Sequence, residues 1–317
     1  MYIKIYHSFG SQHNAVINGH VFQASPIQFL KQKTWFWTNV NALIKMFRVK
    51  TLPHVELVAE VFGMRHETTS NDKGYFEFEF DPKDNIPAGW HAINVYYKKN
   101  PKVKSQGEIF VPYHSSQAII SDIDDTLLKS YSASWFRKIY ELLSKNPHER
   151  KLFDHTVEWY RALAKAYPPG TEEHPFFYVS SSEWNLYDYL NTVFTHHGLP
   201  KGIFLLNHLK SLKNLFKTGK TGHDGKLTRI NSLIKAFPDQ KFILIGDNTQ
   251  RDPYIYQEVA IQNPDKVLAI FIRNKSAKKK EAIQKVLNSI QNPEIVILQF
   301  DTTLEAMEKS KELGFIQ

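Results

Sequence analysis

Ala118-Ile119-Ile120-Ser121-Asp122-Ile123-Asp124-Asp125-Thr126 decides how most of this chain folds. A short apolar run, unbroken by alternation, ends abruptly on a cluster of aspartates. An uninterrupted apolar run of this length reads as a strand buried on both faces. The same grammar recurs downstream. Phe176-Phe177-Tyr178-Val179 leads into Ser180-Ser181-Ser182, and Phe242-Ile243-Leu244-Ile245 leads into Gly246-Asp247. Further runs at Ile203 to Leu206, Val267 to Ile272 and Ile295 to Leu298 are separated by helical stretches. Buried strands alternating with helices predict a doubly wound parallel sheet, an α/β domain over 114–317.

The chain before Pro112 has a different rhythm. Val55, Leu57, Ala59 and Val61 alternate with other residues, as do Phe76, Phe78 and Phe80 with Glu77 and Glu79. That is the period of half-buried strands, and Asn71-Asp72-Lys73-Gly74 between them is a turn signal. Strands at Ala92 to Tyr97 and Glu108 to Val111 continue the pattern, which predicts a small antiparallel β-sandwich over 1–113. Inside it, 27–49 carries apolar and aromatic residues near helical spacing among lysines. This amphipathic helix either packs internally or lies on an anionic membrane.

With 42% hydrophobic and 23% charged residues, the chain is globular and neither disordered nor fibrous. Its 317 residues suit two domains. The absence of cysteine excludes disulfides, thiolate catalysis and sulfur-ligated zinc. No signal peptide or membrane-spanning run is read, so the expected location is cytoplasmic, with peripheral membrane contact open. A net charge of +8 favours anionic partners without choosing among them.

In parallel sheets reactive groups gather beyond the carboxyl ends of strands. Asp122, Asp124, Ser180 and Asp247 sit there, Asp252 follows on the next loop, and Lys226 opens the helix that feeds the Asp247 strand. Acids of this kind suit magnesium, a hard cation that takes oxygen ligands. Asp122 is then the nucleophile toward phosphorus, and Asp124 the acid and base that serves the leaving alkoxide and the water. Lys226 and the Ser180 hydroxyl orient the phosphoryl oxygens. Ser181 replaces Ser180 if the strand runs one residue longer, and Lys220 competes with Lys226. Asp252 holds either Lys226 or a metal-bound water. Asp125 reads as a turn cap.

Asp122-x-Asp124-x-Thr126, Ser180, Lys226 and Gly246-Asp247…Asp252 resemble the four motifs of the haloacid dehalogenase superfamily, in their usual order. The resemblance implies an Mg2+-dependent phosphohydrolase with Asp122, Asp124, Asp247 and Asp252 at the metal and Thr126, Ser180 and Ser181 at the substrate. A narrower resemblance rests on Ser121–Thr126, Tyr178–Tyr187, Gly198–Gly202, Phe242–Asp247 and Pro87–Trp90. These are similar to the phosphatidate phosphatase catalytic-domain family named after the yeast actin-patch enzyme. It implies conversion of phosphatidate at a membrane surface to diacylglycerol, and no nucleic-acid partner. Glu183 and Thr249 depart from that pattern where proline and glycine are common.

Other readings stay on the table. Arg251 and Arg273 meet an anionic substrate or are solvated surface groups. His196-His197 before Gly198 favours the end of a helix, and Lys278-Lys279-Lys280 a solvated helix face. Runs at Trp135–Ser144 and Thr156–Tyr167 leave little room for a large lid, which suits a bulky substrate. The alternatives are a phosphatase of soluble metabolites or macromolecules and a catalytically silent phospholipid-binding protein.

Overall fold

The computed structural model describes residues 1–11, 14–25, 49–82, 86–112, 115–124, 126–127, 151–165, 173–207 and 222–317. They form two compact units, the first holding the described residues up to Pro112 and the second those from Ser115 onward. The helix read at 27–49, the run Trp135–Ser144, and Asp125 and Lys220 lie outside the described residues, except for residue 49.

The first unit is an eight-stranded sheet: β1 (Tyr2–Ile5), β2 (Ser8–Gly10), β3 (Ala15–Phe22), β4 (Glu56–Val61), β5 (Met64–Thr69), β6 (Tyr75–Phe80), β7 (Gly89–Tyr97) and β8 (Asn100–Val111). The order is β1-β3-β2-β8-β7-β4-β5, with β6 pairing β3. The alternating phenylalanines behave as read: Phe76, Phe78 and Phe80 enter a core with Ile17, Val21, Leu57, Ile93 and Ile109, while Glu77 and Glu79 stay exposed. The turn before them forms around Asn71, whose Oδ1 accepts from the main-chain N of Lys73 and Tyr75. Gly74 there has φ of 72°, which a side chain would resist.

The expectation of purely antiparallel pairing is corrected. β2 runs parallel to β8, which makes the sheet mixed. β1 and β2 both pair antiparallel with β3, so they share a direction. The second of them then meets the last strand of the unit, far enough away in sequence for a parallel pair.

The second unit matches the parallel reading. β9 (Gln117–Asp122), β10 (Phe176–Glu183), β11 (Ile203–Asn207), β12 (Lys241–Asp247), β13 (Val267–Arg273) and β14 (Val296–Phe300) form one sheet, ordered β11-β10-β9-β12-β13-β14, with every pair parallel. The helices are α1 (Thr156–Ala164), α2 (Tyr187–His197), α3 (Gly222–Ala236), α4 (Asp252–Gln262), α5 (Lys280–Leu287) and α6 (Thr303–Glu312). They cover both faces, as unalternated strands require. Phe176 and Tyr178 point to the face of α1 and α2, where Tyr160 and Phe194 meet them. Phe177 points the other way, to Phe237 just after α3. Trp159 of α1 ties in α6 through Ser310. None of the described helices is long and apolar enough to cross a membrane.

β9 is the pivot of this sheet. The chain first adds β10 and β11 on one side of it, then β12 to β14 on the other. The carboxyl end of β9 is therefore the topological switch point, where ligands bind in open α/β sheets.

Candidate active site

Asp122 ends β9, and its carboxylate is 1% exposed. Lys226 of α3 donates to its Oδ1 at 2.8 Å and to Asp252 Oδ1 at 2.5 Å. Lys226 itself is 2% exposed, so an ammonium and two carboxylates are bound together out of water. Asp252 opens α4 and turns its Oδ2 toward the main-chain N of Asp247 at 3.4 Å. Gly246 makes this approach feasible: a Cβ there would stand 2.8 Å from the Asp252 carboxylate and 2.8 Å from the Tyr256 ring.

Asp247 ends β12. Its Oδ1 accepts from the main-chain N of Thr249 and Gln250 at 2.5 and 3.2 Å and from the Thr249 hydroxyl. Among the described residues, carboxylate oxygens of Asp122, Asp247 and Asp252 all come within 4.8 Å of one another. All three acids are buried. Oxygen donors alone, packed this closely and without sulfur or imidazole, fit a hard divalent cation.

The electrostatics run in one direction. Burial raises the Asp122 carboxyl well above its ordinary 3.8; Asp252 raises it further, and Lys226 offsets only part of this. For Lys226, burial pulls the ammonium down, but Asp122 and Asp252 more than reverse it and hold the lysine above its usual range. Taken singly, one shift favours a neutral aspartic acid and the other a charged ion pair. Taken together they describe a cluster with more negative charge than Lys226 neutralises, and this is the direction we adopt. Such a cluster attracts a further cation.

Asp124 faces elsewhere. Its Oδ2 accepts from the hydroxyls of Ser180 at 3.2 Å and Ser182 at 3.1 Å, while its main-chain oxygen turns toward Gln250. The carboxylate expected beside the metal thus stands on a separate hydroxyl cradle. Ser180 is buried, and β10 runs through it to Glu183, further than the apolar run suggested. Ser181 is exposed, on the opposite side of the strand, and Ser182 is the hydroxyl that joins Ser180.

Thr126, read as a substrate contact, donates instead to Asp122 Oδ2 at 3.2 Å and so orients that carboxylate. Arg273 is neither a surface group nor an open anion receptor. It is buried between the rings of Phe153 and Phe300 and donates to the Thr126 carbonyl and the Thr303 hydroxyl, both at 3.1 Å. Burial lowers its pKa to about 10. Arg251 is exposed just before α4. His196 and His197 do close α2 ahead of Gly198. Lys278 and Lys279 are exposed on a 3-10 turn, and Lys279 reaches the Thr249 carbonyl at 2.6 Å.

Sequence reasoning passed over Ser182, Arg229 and Gln250. Arg229 lies one helical turn after Lys226 and donates to the Ser180 carbonyl at 3.2 Å. A spacing of two from Ser180 and of three from Lys226 put the first two on the right faces. Gln250 carried no signal beyond its position between Asp247 and Asp252.

A family described as phosphatidate phosphatase APP1, catalytic domain, matches residues 117–274, which include every acid, serine and lysine of this site. An uncharacterized protein of Schizosaccharomyces pombe is 27% identical over 297 residues, covering 87% of this chain and 47% of its own length. Phosphatidate phosphatase APP1 of Saccharomyces cerevisiae is 28% identical over 177 residues, 55% of this chain and 29% of that protein. The chain spans less than half the length of these curated relatives. A solved carbohydrate acetylesterase from Xanthomonas citri covers 92% of this chain and 66% of its own at 10% identity and a TM-score of 0.30, too loose a likeness to carry an argument. Residues 117–274, with their buried acids at the end of the central strand, belong to the APP1 phosphatidate phosphatase catalytic-domain family.

Proposed function

We propose that the chain is a magnesium-dependent phosphomonoester hydrolase of the haloacid dehalogenase type, acting on phosphatidate to give diacylglycerol and phosphate. The observation that carries this reading is the buried set Asp122–Lys226–Asp252 with Asp247 beside it, within the family's segment. Buried like charges are costly, and a cluster kept at the switch point of a parallel sheet is a sign of chemistry.

In this reading Asp122, Asp247 and Asp252, with the main-chain oxygen of Asp124, would hold Mg2+. The cation supplies charge neutralisation for the phosphoryl group. A carboxylate oxygen of Asp122, aimed by Thr126 and Lys226, attacks phosphorus. A bond from Asp122 to phosphorus forms as the bond to the alcohol oxygen breaks, and Asp124 gives that oxygen its proton. Asp124 then takes a proton from water, whose oxygen attacks the aspartyl-phosphate. Asp122 and inorganic phosphate are released. Ser180 and Ser182 keep the Asp124 carboxylate pointed at the reacting oxygens, and Lys226 offsets charge on the phosphoryl group.

The domain division at 113/114, the sandwich form of the first unit and peripheral contact with a membrane belong to the same proposal. A phosphate-release assay with Mg2+ tests it, comparing phosphatidate vesicles with soluble phosphomonoesters and using Asp122→Asn and Asp124→Asn as controls. Release from vesicles that both variants abolish is the expected result. Release from soluble esters alone would remove phosphatidate, and full activity in Asp122→Asn would remove the mechanism.

A further inference from the structure

Gln250 occupies a position that its residue type does not explain. Its main-chain N donates to Asp247 Oδ1 at 3.2 Å, which anchors the backbone. Its side chain then turns into the acid cluster. Nε2 stands 2.9 Å from the Asp124 main-chain oxygen, 3.3 Å from Asp247 Oδ2 and 3.5 Å from Asp122 Oδ2.

All three neighbours are acceptors, which fixes the amide with its nitrogen inward. A primary amide has two N–H groups, too few to serve three oxygens well. These oxygens come from three places: the end of β9, the turn after it and the end of β12. They converge on one partial positive charge.

Magnesium binds oxygen at about 2.0–2.1 Å, well inside the spacings that Nε2 keeps. The same oxygens cannot close on a cation while the amide stands among them. Gln250 is half-buried, so its side chain can withdraw by rotation while its backbone stays tied to Asp247.

We propose that the Gln250 side chain is a built-in competitor for the divalent cation. It seats its amide donors on oxygens of Asp122, Asp124 and Asp247, and the cation binds only as that amide withdraws. The inference rests on the magnesium reading above. It assigns Gln250 a positioning role: the residue caps the crowded carboxylates when the cation is scarce and sets the concentration at which the cation enters.

The test is titration calorimetry with Mg2+, and separately Mn2+, on the full chain after treatment with a chelator. Wild type is compared with Gln250→Leu, which keeps the bulk without donors, and Gln250→Ala. Losing hydrogen bonds to charged acceptors is expected to tighten cation binding by roughly tenfold in both variants. Thermal midpoints give a second readout. Both variants should lower the midpoint of the chelator-treated protein and leave that of the cation-saturated protein close to wild type. A merely structural side chain would lower both midpoints alike and leave the affinity unchanged. Unchanged or weaker binding in the variants, with wild type binding normally, overturns the competitor role alone. Absence of any cation binding by wild type overturns the magnesium reading and this inference with it.

Discussion

Among the described residues, the mixed sheet and its loops bury Ser8, Ser11, Asn18, His20 and Ser70 and no Asp, Glu, Lys or Arg. Tyr6 bonds His20 Nδ1 at 3.0 Å, Ser8 donates to the Tyr6 carbonyl, and the Asn18 main-chain N donates to Ser8. The parallel-sheet unit buries neutral polar side chains as well, but it also buries charged ones, Asp122, Lys226, Asp247, Asp252 and Arg273, and these gather at the carboxyl end of the strands. Neutral groups that satisfy each other cost a fold little, whereas buried charges must be balanced or they destabilise it. The contrast separates polar groups that serve the fold from those that serve chemistry.

The most severe way to break the contrast is Asp122→Asn. It removes one negative charge from an over-charged cluster, so the thermal midpoint should hold or rise. Phosphate release should fall by roughly 10⁴-fold or more, as when a nucleophile is lost. A variant that loses its fold along with its activity would mean that Asp122 serves the scaffold.

Lys226→Met takes away the cation and leaves Asp122 and Asp252 facing each other, buried. Breaking a buried pair this way costs about 3–5 kcal/mol, readable by urea denaturation of chelator-treated protein. Added Mg2+ should recover part of the loss, because it replaces positive charge in the same cluster. Tyr6→Phe is the matching change in the mixed sheet. One neutral hydrogen bond is lost, about 1 kcal/mol, and phosphate release should not change.

The contrast also explains what could be read in advance. Phe76, Phe78 and Phe80 announced their strand through alternation, and Ala118–Ile120 through its lack. β2 is only Ser8-Phe9-Gly10, too short for any period to register, and β5 (Met-Arg-His-Glu-Thr-Thr) is a half-exposed strand at the sheet's edge with no apolar stripe. In the site, Asp122, Asp247 and Lys226 were legible because each ends a strand or lies near the start of a helix. Ser182 and Gln250 were not, because their meaning depends on which strand ends come together. Thr126 belonged to a recognisable motif, yet its hydroxyl turned out to serve Asp122.

The smallest effect tests whether the contrast belongs to whole sheets or to their ends. At the amino end of the parallel sheet, Ser115 Oγ donates to the Gln117 carbonyl at 2.6 Å and lies 2.6 Å from His174 Nδ1, while Gln240 Nε2 donates to the Ser115 carbonyl at 3.2 Å. The Ser115 proton is committed to Gln117, so His174 is the donor in that contact, through Nδ1. This end, like the mixed sheet, buries uncharged polar residues, Ser115 and Gln240. Burial lowers the His174 pKa below its ordinary 6.5. The sign follows from linkage: the unfolded chain takes up a proton first, so the contribution to stability is full above pH 6.5 and is lost as pH falls toward the lowered folded value. Urea midpoints measured from pH 7.5 down to 5.5 should therefore decline for the wild type, and decline less for His174→Gln. Equal slopes would place the acid sensitivity in other groups. A change in the pH profile of phosphate release in His174→Gln would mean that the two ends of the sheet are coupled, and that the division between fold and chemistry does not run across it.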